Sequence, residues 1–219
     1  MPGSPSPNRG ESRSHDSPFV HVASPVLGPP PLTDRARYKK DALYLDPKGT
    51  RVTHELERGD IAQVQWNAHA AKSLGVRPDN LMGRIFADLR PEPLMLNAAQ
   101  AAREAGVRVG VLSNSVGLTP WNLYDGYDLD ERFDAVLISE HHRIRKPDPE
   151  IFRLMLDMME LPGEACVFVD DNRHYLPPAA DLGMETIFAE DPKQTVSQLE
   201  ALLDVTLLGA VCGGDRRGG

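Results

Sequence analysis

Three short stretches hold the side chains that could do chemistry: Ser113 and Asn114 in VLSNS (111–115), Lys146 in RKPDPEIF (145–152), and Asp170 with Asp171 in VFVDD (167–171). A hydroxyl, an amide and the backbone N–H groups that follow a strand are neutral donors suited to a phosphoryl oxygen. Lys146 is followed by Pro147 and Pro149, which stiffen the backbone and aim the ammonium at a fixed point. Two adjacent carboxylates repel unless a cation or donors share them, and hard oxygen ligands suit Mg²⁺. Each group alone has a plainer reading: a polar turn, a surface lysine, a helix N-cap. Met in this order on successive strands, the three are far more specific than any one.

The elements that must position them alternate. The pattern predicts helices over 94–105, 149–160 and 192–203, and apolar strands over 107–112, 135–139, 166–169 and 185–188. Apolar strands separated by helices of that length give an α/β fold, a Rossmann-like parallel sheet covered on both faces. Binding crevices in such sheets lie beyond the carboxyl ends of the strands. Ser113 and the Asp pair fall at that edge. Ahead of it, residues 35–92 read as a small helical cap: one helix over 36–45 stopped by Pro47 and Gly49, a second over 53–57, and a third N-capped by Asp60, running through Trp66 to Leu74 and ended by Gly75.

The expected organisation is a Pro/Ser-rich, mostly disordered lead over 1–34 with one short strand at 19–22, the cap over 35–92, the α/β core over 93–205 and a flexible tail over 206–219. The lead does not read as a signal peptide, since His21, Ser24 and Pro25 interrupt any apolar run. A net charge of -8 excludes a general nucleic-acid footprint, and Arg143, Arg145 and Lys146 are too short a basic run to supply one. No apolar run approaches the ~20 residues needed to span a bilayer, so no membrane partner is expected. Cys166 and Cys212 make no disulfide framework, which suits a reducing cytoplasm. The adjacent His141 and His142 do not converge on one metal ion.

At these residues the chain resembles the haloacid-dehalogenase-like (HAD) hydrolase superfamily, in particular small-cap phosphatase-like members related to the phosphatase domain of soluble epoxide hydrolases. VLSNS looks like the family's second motif, RKPDPEIF its third and VFVDD its fourth. LERGDI (56–61), NLMGRIFADLRPEP (80–93) and DLGM (181–184) match the same relatives in style. The resemblance implies Mg²⁺-dependent hydrolysis of a small phosphorylated molecule, through an Asp nucleophile at the end of the first, central strand. It implies that Ser113 binds the transferring group with Asn114, that Lys146 neutralises charge, and that Asp170 and Asp171 hold Mg²⁺.

The first motif, an apolar strand ending in Asp and a Gly-containing turn, has two candidate places. In VHVASPVLGPP (20–30) the nucleophile position is Val22, with Ser24 and Pro25 at the turn; in ALYLDPKGT (42–50) it is Asp46, with Gly49 and Thr50. An isopropyl group cannot attack phosphorus. Two outcomes are therefore open: an enzyme with Asp46 as substitute nucleophile, or a weakened or non-catalytic relative that keeps a phosphate- or Mg²⁺-binding pocket for a regulatory role. Other departures agree with drift. SEHHRIRK (139–146) lacks the glycines that relatives carry around Glu140 and Arg143, and Tyr175 stands where relatives often have Asn.

Overall fold

The computed structural model describes residues 19–23 and 47–207. Strand β1 (Phe19–Ala23) comes from the Pro-rich lead and lies at the centre of the sheet. It is followed by helices α1 (Pro47–Glu57), α2 (Gln63–Leu74), α3 (Leu81–Ile85) and α4 (Pro93–Glu104). Strand β2 (Val109–Ser113), the short helix α5 (Leu129–Arg132), β3 (Ala135–Ile138) and the single turn α6 (Ser139–His142) come next. Helix α7 (Pro149–Met159), β4 (Cys166–Asp170), α8 (Leu176–Ala180), β5 (Glu185–Phe188) and α9 (Pro192–Leu203) complete the order. All four strand pairings among the described residues are parallel, and the order across the sheet is β3-β2-β1-β4-β5.

Side-chain period two sorts each strand onto two faces. Val109 and Val111 of β2, with Val167 and Val169 of β4, join the cluster built on α4 and α9. Leu112, Cys166 and Phe168 face the opposite way, into the cluster built on α7 and α8. Asp170 continues the parity of Phe168, which points its carboxylate to the side from which the segment before α7 arrives. The helices start where their caps dictate: Asp148 and Asp191 accept from backbone N–H groups, and Pro149 and Pro192 occupy the first turns.

The helical segment before the sheet has its own apolar cluster of Leu56, Trp66, Ala70, Leu81, Met82 and Phe86, on which Val116, Trp121 and Leu123 also pack. Pro47 and Gly49 lie within α1, while the helix over 36–45 that they are expected to stop falls outside the described residues. One expectation there fails. Asp60 does not cap α2. That place belongs to Ala62, whose backbone N–H is accepted at 2.8 Å by the Gln65 side chain, while Gly75 ends the helix in the left-handed region as expected. The helix expected over 36–45 and the lead before Phe19 lie outside the described residues.

Candidate functional site

Strand register builds the site. Val22 pairs with Val111 on one side and Val169 on the other. The carboxyl end of β1, Val22–Ala23, thus lies between the strand ends that carry Ser113 and Asp170. No residue of β1 bears a carboxylate. Asp46, the other candidate, lies outside the described residues, but its companions Gly49 and Thr50 sit inside α1 rather than in a turn after a strand.

Lys146 reaches this edge wholly buried, at 0% exposure. Its Nζ donates to the carbonyl of Leu112 at 3.0 Å and to Asp170 Oδ2 at 2.7 Å. It also lies 5.1 Å from the centre of the Tyr175 ring. Asn114 supplies the backbone anchor: its Oδ1 accepts from the Lys146 N–H at 2.9 Å, and its Nδ2 donates to the Lys146 carbonyl at 3.1 Å. The remaining Nδ2 proton goes to Tyr175 Oη at 3.2 Å. Asn114, expected to touch substrate, is occupied instead in fixing Lys146. Ser113 Oγ shares a 2.8 Å hydrogen bond with Tyr124 Oη.

Asp170 is as buried as Lys146, and its second oxygen accepts from the Asn172 N–H at 2.7 Å. Burial pushes its carboxyl up to about 6, against the opposing pull of Lys146. The Asp170 carboxyl is therefore mostly ionised at neutral pH. Asp171 is exposed at the start of the following turn. This donor set fits a tightly held Mg²⁺ poorly. Such an ion takes several oxygen ligands, yet Asp170 already has Lys146 as its counter-charge, and no cluster of three or more His, Cys, Asp or Glu able to hold a metal occurs among the described residues.

A second polar cluster ties the helical segment to the loop carrying Lys146. Arg145 pairs with Glu57 at the end of α1, and Ser139 Oγ donates to the Glu57 carbonyl. Ser139 Oγ also accepts from the Ser115 N–H at 2.8 Å, and Ser115 Oγ donates to Glu140. Burial raises Glu57 to about 6 even with Arg145 beside it. Arg143 adopts φ 58°. That left-handed backbone is the conformation glycine would favour.

Residues 31–183 match the family model described as "haloacid dehalogenase-like hydrolase". The chain belongs to the haloacid dehalogenase-like hydrolase family. The family match begins downstream of β1, leaving the strand with Val22 outside it. Bifunctional epoxide hydrolase 2 of Sus scrofa is 38% identical over 173 residues, which is 68% of this chain and 30% of that protein. Glyceraldehyde 3-phosphate phosphatase of Methanocaldococcus jannaschii is 28% identical over 129 residues, 53% of this chain and 57% of that one. The chain thus spans less than two thirds of the length of either relative. A HAD-family enzyme of Bacteroides thetaiotaomicron, solved as a magnesium complex, superposes with a TM-score of 0.62 over 80% of this chain and 96% of its own at 17% identity, a likeness of fold.

Glu57, Tyr124 and Ser139 are site neighbours that sequence reasoning passed over. Glu57 lay in the recognised stretch LERGDI, and a glutamate between Leu56 and a Gly turn was a usable signal. Tyr124 sits in an irregular loop and gave none. Among the described residues no helix is long and apolar enough to cross a membrane.

Proposed function

We propose that this chain is a phosphate-monoester-binding member of its family in which the hydrolytic step is weakened or lost. The observation that carries the reading is the end of the central strand: β1 closes on Val22–Ala23 between the strand ends of Ser113 and Asp170. The family mechanism needs a carboxylate there, and neither an isopropyl nor a methyl group can attack phosphorus. The phosphate-directed half is supported by the Ser113–Lys146 edge and by relatives that include a named phosphatase. In this reading Ser113 donates to a phosphoryl oxygen, Lys146 offsets its charge, and Asn114 holds Lys146 in place. The partner is a small phosphorylated molecule in the cytoplasm, not a nucleic acid or a membrane. Mg²⁺ on Asp170 and Asp171 is weak, for want of further oxygen ligands.

The test is turnover of an aryl phosphate with Mg²⁺ by the full chain, beside calorimetric binding of inorganic phosphate. Binding with turnover near background is expected, and Asp46→Asn should change neither. Val22→Asp restores a carboxylate at the strand end. It should cost stability on the order of a few kcal/mol as an unpaired charge, and raise turnover above the parent. Strong parent turnover that Asp46→Asn abolishes would overturn the reading and make Asp46 the nucleophile.

A further inference from the structure

The edge just described is closed. Ser113 is 4% exposed and Lys146 not at all, so a phosphate oxygen reaches Ser113 only after its cover has moved. What covers the hydroxyl is the phenol of Tyr124, in the loop between β2 and α5.

That loop is fastened to the helical segment rather than to the sheet. Gln63, in the first turn of α2 and 1% exposed, shares its two Nε2 hydrogens among the carbonyls of Val116, Gly117 and Trp121 at 2.9, 3.0 and 2.9 Å. Its Oε1 accepts from the Trp121 N–H at 3.1 Å. Gly117 adopts φ 80°, and a Cβ there would stand 2.7 Å from Gln63 Cβ, so the loop backbone lies against this one side chain. The Trp121 ring stacks on Phe86 with centroids 5.9 Å apart, and Val116 and Leu123 pack on the same apolar cluster. Buried amides satisfied at this level resist separation, because each broken bond leaves an unpaired group.

We propose that Tyr124 occupies the hydrogen-bonding position on Ser113 that a phosphate oxygen takes, and that Gln63 makes its withdrawal depend on movement of the helical segment. Tyr124 is then a positioning residue, acting on ligand through Ser113. The ordering follows from the contacts. When α2 shifts, residues 116–121 move with it, and the phenol three residues on leaves Ser113 free to donate. The inference rests on the phosphate-binding reading for its ligand, but the mechanical coupling does not.

The experiment uses the full chain with 13Cζ-labelled tyrosine, observed by NMR, and inorganic phosphate as the probe. Tyr124→Phe removes the competing hydroxyl and should tighten phosphate binding roughly threefold to tenfold, the range one ordinary hydrogen bond carries. Gln63→Ala should shift the Tyr124 resonance without phosphate and tighten binding in the same direction. Gln63→Met keeps the volume and serves where the alanine variant does not fold. Tyr127→Phe, outside these contacts, should leave binding unchanged. Unchanged or weaker phosphate binding in Tyr124→Phe overturns the occupancy; an unmoved Tyr124 resonance in the Gln63 variants overturns the coupling. If no form binds phosphate while Gln63→Met still moves that resonance, the functional reading fails and the coupling stands.

Discussion

The two edges of the sheet handle charge in opposite ways. At the amino-terminal edge, a cavity of about 510 Å³ is lined by Arg103, Arg108, Arg132, Glu131 and Asp134. There Arg103 and Asp134 pair at 3.0 Å with about a third of each side chain open to water. At the carboxyl-terminal edge, Lys146 and Asp170 pair at 2.7 Å with almost none. Water screens the first pair, so the charge of Arg103 can be lost at little cost, whereas Asp134 also accepts from the Val109 N–H at 2.8 Å. The second has no such reserve, since an ion stripped of both water and partner is expensive. Acidic and basic residues are abundant at both edges. Burial alone separates decoration from commitment.

Breaking the buried pair should have the largest effect. Lys146→Met leaves Asp170 without its counter-charge and should destabilise the fold by about 3–5 kcal/mol at neutral pH, read by urea melts. Adding Asp170→Asn to it should recover much of that loss, because the stranded charge goes with it. Failure to recover would mean that packing rather than charge holds the edge. The corresponding cut at the opposite edge, Arg103→Ala, should cost no more than about 1 kcal/mol. A larger loss there would erase the contrast.

Acidity sharpens the comparison further, with a smaller effect. Glu57 titrates near 6 in the folded chain, above its ordinary 4.5. Between those values the folded state holds the proton and the unfolded state does not. The stability due to this group is thus full below about 4.5, falls as pH rises through about 6, and is flat above. Asp170, raised from 3.8 to about 6, moves stability in the same direction. The stability of the parent relative to Glu57→Gln, followed by thermal melts from pH 4 to pH 7, should therefore decline to about pH 6 and then level. An opposite slope would show that Arg145 outweighs burial.

Much of this edge is legible in the sequence, for a physical reason. Ser113, Lys146 and Asp170 each stand where an apolar strand or a Pro-flanked turn ends, so local pattern fixes them to one side of the sheet. Strands 166–169 and 185–188 and the helix 192–203 are recovered almost residue for residue. The strand at 19–22 is visible as an apolar run, but its central place depends on pairing with residues far along the chain. Tyr124 and Gln63 are invisible for the same reason: their partners lie 11 and up to 58 residues away, joined by no periodicity. The misreading at Asp60 has a different origin. Aspartate marks a helix boundary, and sequence alone leaves open which residue of that boundary forms the cap.

The central position of β1 also sets the order in which the chain can assemble. Its partners are residues 109–112 and 166–169, so both neighbours are synthesised long after it. Until Asp170 has emerged from the ribosome, residues 19–23 have one possible neighbour at most. Pairings this distant in sequence close late, and they slow folding relative to a sheet built from adjacent strands. A fragment starting at residue 31, where the family match begins, would leave two open strand edges facing a gap in the middle of its sheet. Such edges invite pairing with other chains. That fragment should aggregate where the longer chain folds.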